Sequence, residues 1–178
     1  DEPILNESRK FIQYQVNDGM FRFWYRFVLK ATTVIESDMG ELWYEKSVKP
    51  ELHDFMGLIF EEMCQEWTRE LSRQGGLEPL VFRVGKWRGH DNQNKAPADI
   101  DVVGVNDVER TAVIGECKFR NELFGIREYE KCLDRAHLLP GYETKQFLMF
   151  SKSGFSKDVK ARAKKERTRL VTLREMYG

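Results

Sequence analysis

Apolar positions recur at three- and four-residue steps from Glu51 to about Ser72: Leu52, Phe55, Met56, Ile59, Phe60, Met63, Trp67 and Leu71. That spacing predicts an amphipathic helix, which Gln74-Gly75-Gly76 stops. Four short apolar runs follow, at Leu80–Val84, Ile100–Val105, Thr111–Lys118 and Gln146–Phe150, and each reads as a strand. Glu122 to Leu139 returns to helical spacing and ends before Pro140-Gly141. Ser156 opens a basic helix running to about Arg167, and Arg169–Leu173 reads as a last short strand before a frayed end. Helix, three strands, helix, strand, helix, strand predicts an α/β sandwich around a mixed sheet.

Upstream the signal is less regular. Ile12, Tyr14 and Val16 alternate as in a short strand. Asp18 is placed to cap a helix carrying Phe21, Phe23, Trp24, Phe27 and Val28. Apolar residues cover most of that helix's circumference, so it is expected to be buried between other elements. Residues 32–50 show no clear period, and Pro50 marks a boundary. Residues 1–50 therefore read as an N-terminal extension of packing helices, and 51–178 as the main domain.

Composition excludes several classes. With 41% apolar and 12% aromatic residues the chain is an ordinary globular sequence, not a disordered one. No apolar run approaches the roughly 18–20 residues needed to span a bilayer, and no signal peptide is visible. Cys64, Cys117 and Cys132 lack Cys-x-x-Cys spacing, which fits reduced thiols in the cytoplasm. His53, His90 and His137 are scattered, against a histidine-rich metal cluster. The net charge of zero hides an asymmetry, because residues 1–80 hold 9 Lys/Arg against 15 Asp/Glu and residues 81–178 hold 20 against 14. A basic second half makes a polyanionic partner worth considering.

The candidate chemistry lies in Ala98-Asp-Ile-Asp-Val-Val103 and Val113-Ile-Gly-Glu-Cys-Lys118. Strand alternation places Asp99, Asp101 and Val103 on one face, with Ile100 and Val102 on the other. In the second strand it puts Glu116 and Lys118 opposite Cys117. With a turn at Asn106-Asp107, an antiparallel pair would bring Asp101 and Glu116 to one spot beside Lys118. Two carboxylates on adjacent strands suit Mg²⁺ or Mn²⁺, a hard ion that binds oxygen and keeps room for water and phosphate. A neighbouring lysine suits positioning of water or stabilisation of charge at phosphorus. Asp99 is a spare acid nearer the strand start. Burying Asp101 within Ile-Asp-Val-Val without a partner would be costly, which favours a site role. Arg120 and Arg127, just past the lysine, and Lys157, Lys160 and Lys164 on the basic helix are candidates for nucleic-acid contact, although a solvated helix face explains the last three equally well. Trp87 reads as core, His90 as part of a polar loop, and Cys117 as an inert core thiol.

Asp101 followed by Glu116-Cys-Lys118 resembles the Asp…(Asp/Glu)-x-Lys signature of PD-(D/E)XK nucleases, a superfamily with an αβββαβ core. Ile100 stands where the superfamily's name places proline. The helical pattern leaves Glu61 and Glu62 open as a further acid, and the superfamily's glutamate on the first core helix favours Glu61. Phe21-Arg-Phe-Trp-Tyr-Arg-Phe27, Gly57-Leu-Ile-Phe-Glu-Glu-Met-Cys64, Gly85-Lys-Trp87, Asp99-Ile-Asp-Val-Val103 and Gly115-Glu-Cys-Lys118 more closely resemble the DUF234 domain. That resemblance implies a restriction-endonuclease-like domain behind an AAA-type ATPase module and a winged helix in the full-length chain. It makes Asp1–Val16 the end of the winged helix, and it accounts for a chain that begins at Asp1. It further implies Mg²⁺- or Mn²⁺-dependent cleavage of DNA, with Asp101 and Glu116 on the metal and Lys118 and Glu61 completing the catalytic set. The rival expectation is a catalytically inactive nuclease-fold module for nucleic-acid binding or regulation of the ATPase. No Gly-rich loop ending in Gly-Lys-Ser/Thr occurs, so ATP hydrolysis is not expected of these residues.

Overall fold

A computed structural model describes Ile4 and residues 18–177; the strand expected around Ile12–Val16 lies outside the described residues. Asp18 caps the first helix as its position predicts, its Oδ1 accepting from the backbone N–H groups of Met20 and Phe21 at 2.8 and 3.0 Å. That helix, α1 (Gly19–Phe23), widens into a π turn (Trp24–Val28) and tightens into a 3₁₀ turn (Leu29–Ala31). Residues read as aperiodic are also helical, in α2 (Thr32–Glu36), α3 (Gly40–Trp43) and a second π turn (Tyr44–Val48). Expected burial of this segment is not observed. Phe27, Ala31 and Val48 are buried, while Phe21 is 58% and Tyr25 56% exposed. The cause is that these helices meet the rest of the fold along one side. Phe27 and Val48 pack against Phe55, with Leu52, Met56 and Ile59 around them.

Those partners lie on α4 (Lys49–Arg73), where Pro50 sits in the first turn and loses no hydrogen bond there. Gly75, at φ 71°, reverses the chain, and its N–H and that of Gly76 satisfy the carbonyls of Ser72 and Leu71. One face of α4 takes the N-terminal helices. A different one, Phe60, Cys64, Thr68 and Ser72, is buried toward the sheet. Small polar residues allow close approach there because they are satisfied locally: Thr68 donates to the Cys64 carbonyl at 2.7 Å. Ser72 Oγ accepts from Val81 N and donates to Val81 O, at 2.9 and 3.0 Å.

Five strands form one mixed sheet in the order β1 (Arg83–Asp91), β2 (Ala96–Asn106), β3 (Thr111–Lys118), β4 (Glu143–Ser151) and β5 (Thr168–Thr172). The first three are antiparallel neighbours and the last two join in parallel. Helix α5 (Ile126–Asp134), prolonged by a 3₁₀ turn (Arg135–Leu138), links β3 to β4, and α6 (Lys157–Ala163) links β4 to β5. A short α7 (Leu173–Tyr177) replaces the expected frayed end. The order from α4 onward is the expected αβββαβ, and the fold is α/β, with α4 on one face of the sheet and α5 and α6 on the other.

Several boundaries differ from expectation: β2 and β4 begin earlier, at Ala96 and Glu143, α6 ends at Ala163 instead of about Arg167, and two further shifts have a visible cause. The first strand starts at Arg83 and runs through His90, which had read as loop. As an edge strand it leaves polar side chains in solvent, so its hydropathy hides it. The helix expected from Glu122 starts at Ile126, because Phe124 first bridges to Phe155 and Glu128 Oε2 accepts from Gly125 N at 2.7 Å. The turn at Asn106 is as expected: its Oδ1 accepts from Val108 N and Glu109 N, at 3.1 and 3.0 Å.

Ser72→Ala would leave both backbone groups of Val81 unpaired beneath α4. We expect a loss of about 1–3 kcal/mol in urea unfolding, seen as a lower midpoint with an unchanged slope.

Candidate active site

Strict alternation along β2 fails at one point, and the candidate site lies there. Gly85 pairs with Val103 and Trp87 with Ile100, so β1 advances two residues while β2 advances three. The extra residue makes Asp101 and Val102 together face Lys86, a β-bulge. Ile100 and Val103, which alternation would set on opposite faces, both enter the core under α5 and α6, and Val102 packs under α4. Strand β3 alternates as expected: Val113 and Cys117 face α4, and Ile114 the other side.

Between β2 and β3 the paired register ends at Val102 and Gly115. One step further on, the side chain of Asp101 replaces the ladder, its Oδ2 accepting from Cys117 N at 2.9 Å. Gln65 of α4 donates to the Asp101 carbonyl at 2.9 Å. Asp101 is 6% exposed and is fixed from both sides.

Glu116 is 5% exposed, with one carboxylate oxygen on the Lys118 ammonium and the other on the Arg135 guanidinium. Arg135 also lies 3.6 Å from Asp99. Glu61 accepts from Lys86 at 2.7 Å, and the same ammonium is 3.5 Å from Asp99 and 3.6 Å from Asp101. Glu62 turns away to Arg22 of α1, at 2.7 Å. The structure thus brings Asp101, Glu116, Lys118, Glu61 and Asp99 to one end of the sheet. Lys86 and Arg135 join them without having been singled out from the sequence. Lys86 lay only within Gly85-Lys-Trp87, and Arg135 sits in a helical segment with no local mark of a site.

Burial raises the Glu116 carboxyl above its ordinary range, and Asp101 adds to the effect. Burial and Asp101 likewise raise Glu61, against the pull of Lys86. Burial pulls Lys118 down, but Glu116 outweighs it and the amine stays above its ordinary value. Asp101, Glu116 and Glu61 thus crowd one place, opposed by Lys86, Lys118 and Arg135. Their oxygens are hard donors, of the type that could hold Mg²⁺ or Mn²⁺ between Asp101 and Glu116. Among the described residues no three His, Cys, Asp or Glu side chains are arranged to hold a metal. Such an ion would rest on two carboxylates, completed by other oxygens. Cys117 is buried and far above ordinary thiol values through burial and Cys64, as expected of an inert thiol.

The basic candidates are placed differently. Arg120 is bound by Glu128 in the loop before α5. Arg127 is exposed on the first turn of α5, and Lys157, Lys160 and Lys164 are exposed along and just past α6. None of these five contacts the carboxylates of the site in the hydrogen bonds and ion pairs above. Within the basic run Arg162 is neutralised by Glu130 and Glu166.

The sequence profile of the DUF234 family, described as archaeal and bacterial proteins of unknown function, matches residues 24–132. A curated relative, the uncharacterized protein MJECL04 of Methanocaldococcus jannaschii, is 22% identical over 138 residues, covering 67% of this chain and 29% of that protein. The chain thus spans less than a third of that relative's length. Two solved structures resemble it distantly. Protein of unknown function AF1548 has 21% identity and a TM-score of 0.42, over 60% of this chain and 58% of that one. MspJI restriction endonuclease in complex with a 27-mer oligonucleotide has 12% identity and a TM-score of 0.40, over 97% of this chain and 33% of that one.

The turn carrying Arg135 is clamped to the β1–β2 hairpin by His137, whose Nε2 is 3.1 Å from Asp91 Oδ1 and whose Nδ1 is 2.5 Å from the Asp134 carbonyl. The Asp134 carbonyl and then Asp91 raise the imidazole pKa above its ordinary value. Since the folded pKa exceeds the unfolded one, near 6.5, the stabilisation is full below pH ~6.5 and is lost as pH rises through the raised midpoint. Histidine NMR titration should place His137 above the ordinary histidine value of about 6.5, and Asp91→Asn should bring it down.

Proposed function

The chain belongs to the DUF234 family, and from the acids and amines gathered at one end of its sheet we propose that it is a Mg²⁺- or Mn²⁺-dependent deoxyribonuclease domain. The observation that carries this reading is Asp101 fixed by the Cys117 N–H, with Glu116 one register step beyond the last β2–β3 pair and Lys118 on Glu116. Asp101 and Glu116 would hold the ion, which supplies Lewis-acid stabilisation of charge building on a phosphodiester.

The chain's own groups do the rest. Asp101 cannot swing away without breaking its bond to Cys117, so its second oxygen stays aimed at the site. Lys118 keeps its proton, because Glu116 outweighs burial, and offers a positive charge to the phosphate and a donor to an attacking water. Glu61, held by Lys86, would support the ion through water. Arg127, Lys157, Lys160 and Lys164 give DNA a diffuse positive surface without base readout, and binding through them falls steeply with salt. The reading extends to an ATPase and a winged helix in the same full-length protein, a partnership supported by the sequence resemblance alone.

One observation favours the rival, an inactive nuclease-fold module that binds nucleic acid or regulates the ATPase. Both oxygens of Glu116 are already held, by Lys118 and Arg135. A cation must compete with them.

Supercoiled plasmid and short duplexes incubated with Mg²⁺ or Mn²⁺ separate the two. We expect cleavage by the wild type and losses of about 100-fold or more for Asp101→Ala and Lys118→Ala. Equal, negligible cleavage by all three proteins would remove the nuclease reading, and salt-sensitive DNA binding that survives Asp101→Ala would favour the module.

A further inference from the structure

The chemistry proposed for the site gives Lys86 no task, yet its surroundings are specific. It lies opposite the bulge, with its side chain 18% exposed. Its ammonium has Glu61 Oε2 at 2.7 Å, Asp99 Oδ2 at 3.5 Å and Asp101 Oδ1 at 3.6 Å. One carboxylate comes from α4 and two from β2, so the grouping is made by tertiary packing and not by neighbours along one element. A single ion pair would satisfy a lysine. Here three carboxylates surround one positive centre at the distances an ammonium requires, and they are not closed to the roughly 2.0–2.6 Å of Mg²⁺ or Ca²⁺. Lysine suits the task because its charge is compact and its stem flexible.

The charge balance points the same way. Glu61, Asp99, Asp101 and Glu116 face Lys86, Lys118 and Arg135. That leaves one negative charge. One divalent ion turns the balance to a single positive charge, and a second would turn it to three at close range in a partly buried site.

We propose that the Lys86 ammonium is a tethered cation in the place between Glu61, Asp99 and Asp101 that a second divalent ion would otherwise take, so that the domain holds one such ion. The proposal rests on the metal reading of Asp101 and Glu116. It assigns Lys86 as a positioning residue that fixes the acids around Asp101 and sets the metal count.

Mn²⁺ stoichiometry measured by titration calorimetry, and checked by the free-Mn²⁺ paramagnetic resonance signal, tests it without any activity assay. We expect one equivalent for the wild type, two for Lys86→Met, and one again for Lys86→Arg. Equal stoichiometry for the wild type and Lys86→Met overturns the assignment of Lys86, whatever the number. No binding by the wild type with one ion gained in Lys86→Met keeps Lys86 as a tethered cation and instead overturns the metal reading of Asp101 and Glu116. Should Lys86→Met fail to fold, Lys86→Gln, which also removes the charge, decides by the same measurement: two equivalents support the proposal and one overturns it.

Discussion

A backbone N–H that has lost its strand partner organises this molecule. Where β2 and β3 stop pairing after Val102 and Gly115, the amide of Cys117 is taken by the carboxylate of Asp101. A buried amide without a partner is costly, so the substitution of a side chain for a strand holds the sheet open at this end. The opening leaves room for ionisable groups between α4 on one face and the turn after α5 on the other. The extra residue in β2 aims Asp101 at that space. Without the bulge, Ile100 and Val103 could not share a core face, and the acid would follow the alternation of its strand.

Electrostatics then follows from packing. Burial and the charge of Asp101 raise the proton affinity of Glu61 and Glu116, and Lys86, Lys118 and Arg135 oppose this from three different elements. The N-terminal helices contribute at a distance. They grip α4 through Phe27, Val48 and Phe55 and draw Glu62 to Arg22, leaving Glu61 as the helix acid that meets Lys86 of β1. Nearby, His137 and Asp91 tie the turn bearing Arg135 to the β1–β2 hairpin. The site is therefore held at both ends by contacts outside it.

Much of the core was legible beforehand. Thr111–Lys118 reads as a strand because it is a nearly continuous apolar run, and every residue before Lys118 is buried; α4 reads as a helix because its period persists from Leu52 to Leu71. Apolar spacing misplaces the edge strand β1, since edge residues need not be apolar. It also predicts burial of the first helix, whereas an apolar circumference says nothing about how many neighbours the fold supplies. Three of its aromatic residues, Phe21, Trp24 and Tyr25, remain largely exposed.

By itself the sequence determined the order of elements, the pairing of an Asp strand with a Glu-x-Lys strand, and the types of group able to meet there. Those are local matters, written in periodicity and spacing. Only the tertiary structure decided that a bulge turns Asp101 against its alternation, that Lys86 and Arg135 enter the cluster, and that Arg120 is spent on Glu128. The physical reason is that each depends on residues from separate elements meeting across the sheet, where one added residue changes which face a side chain occupies.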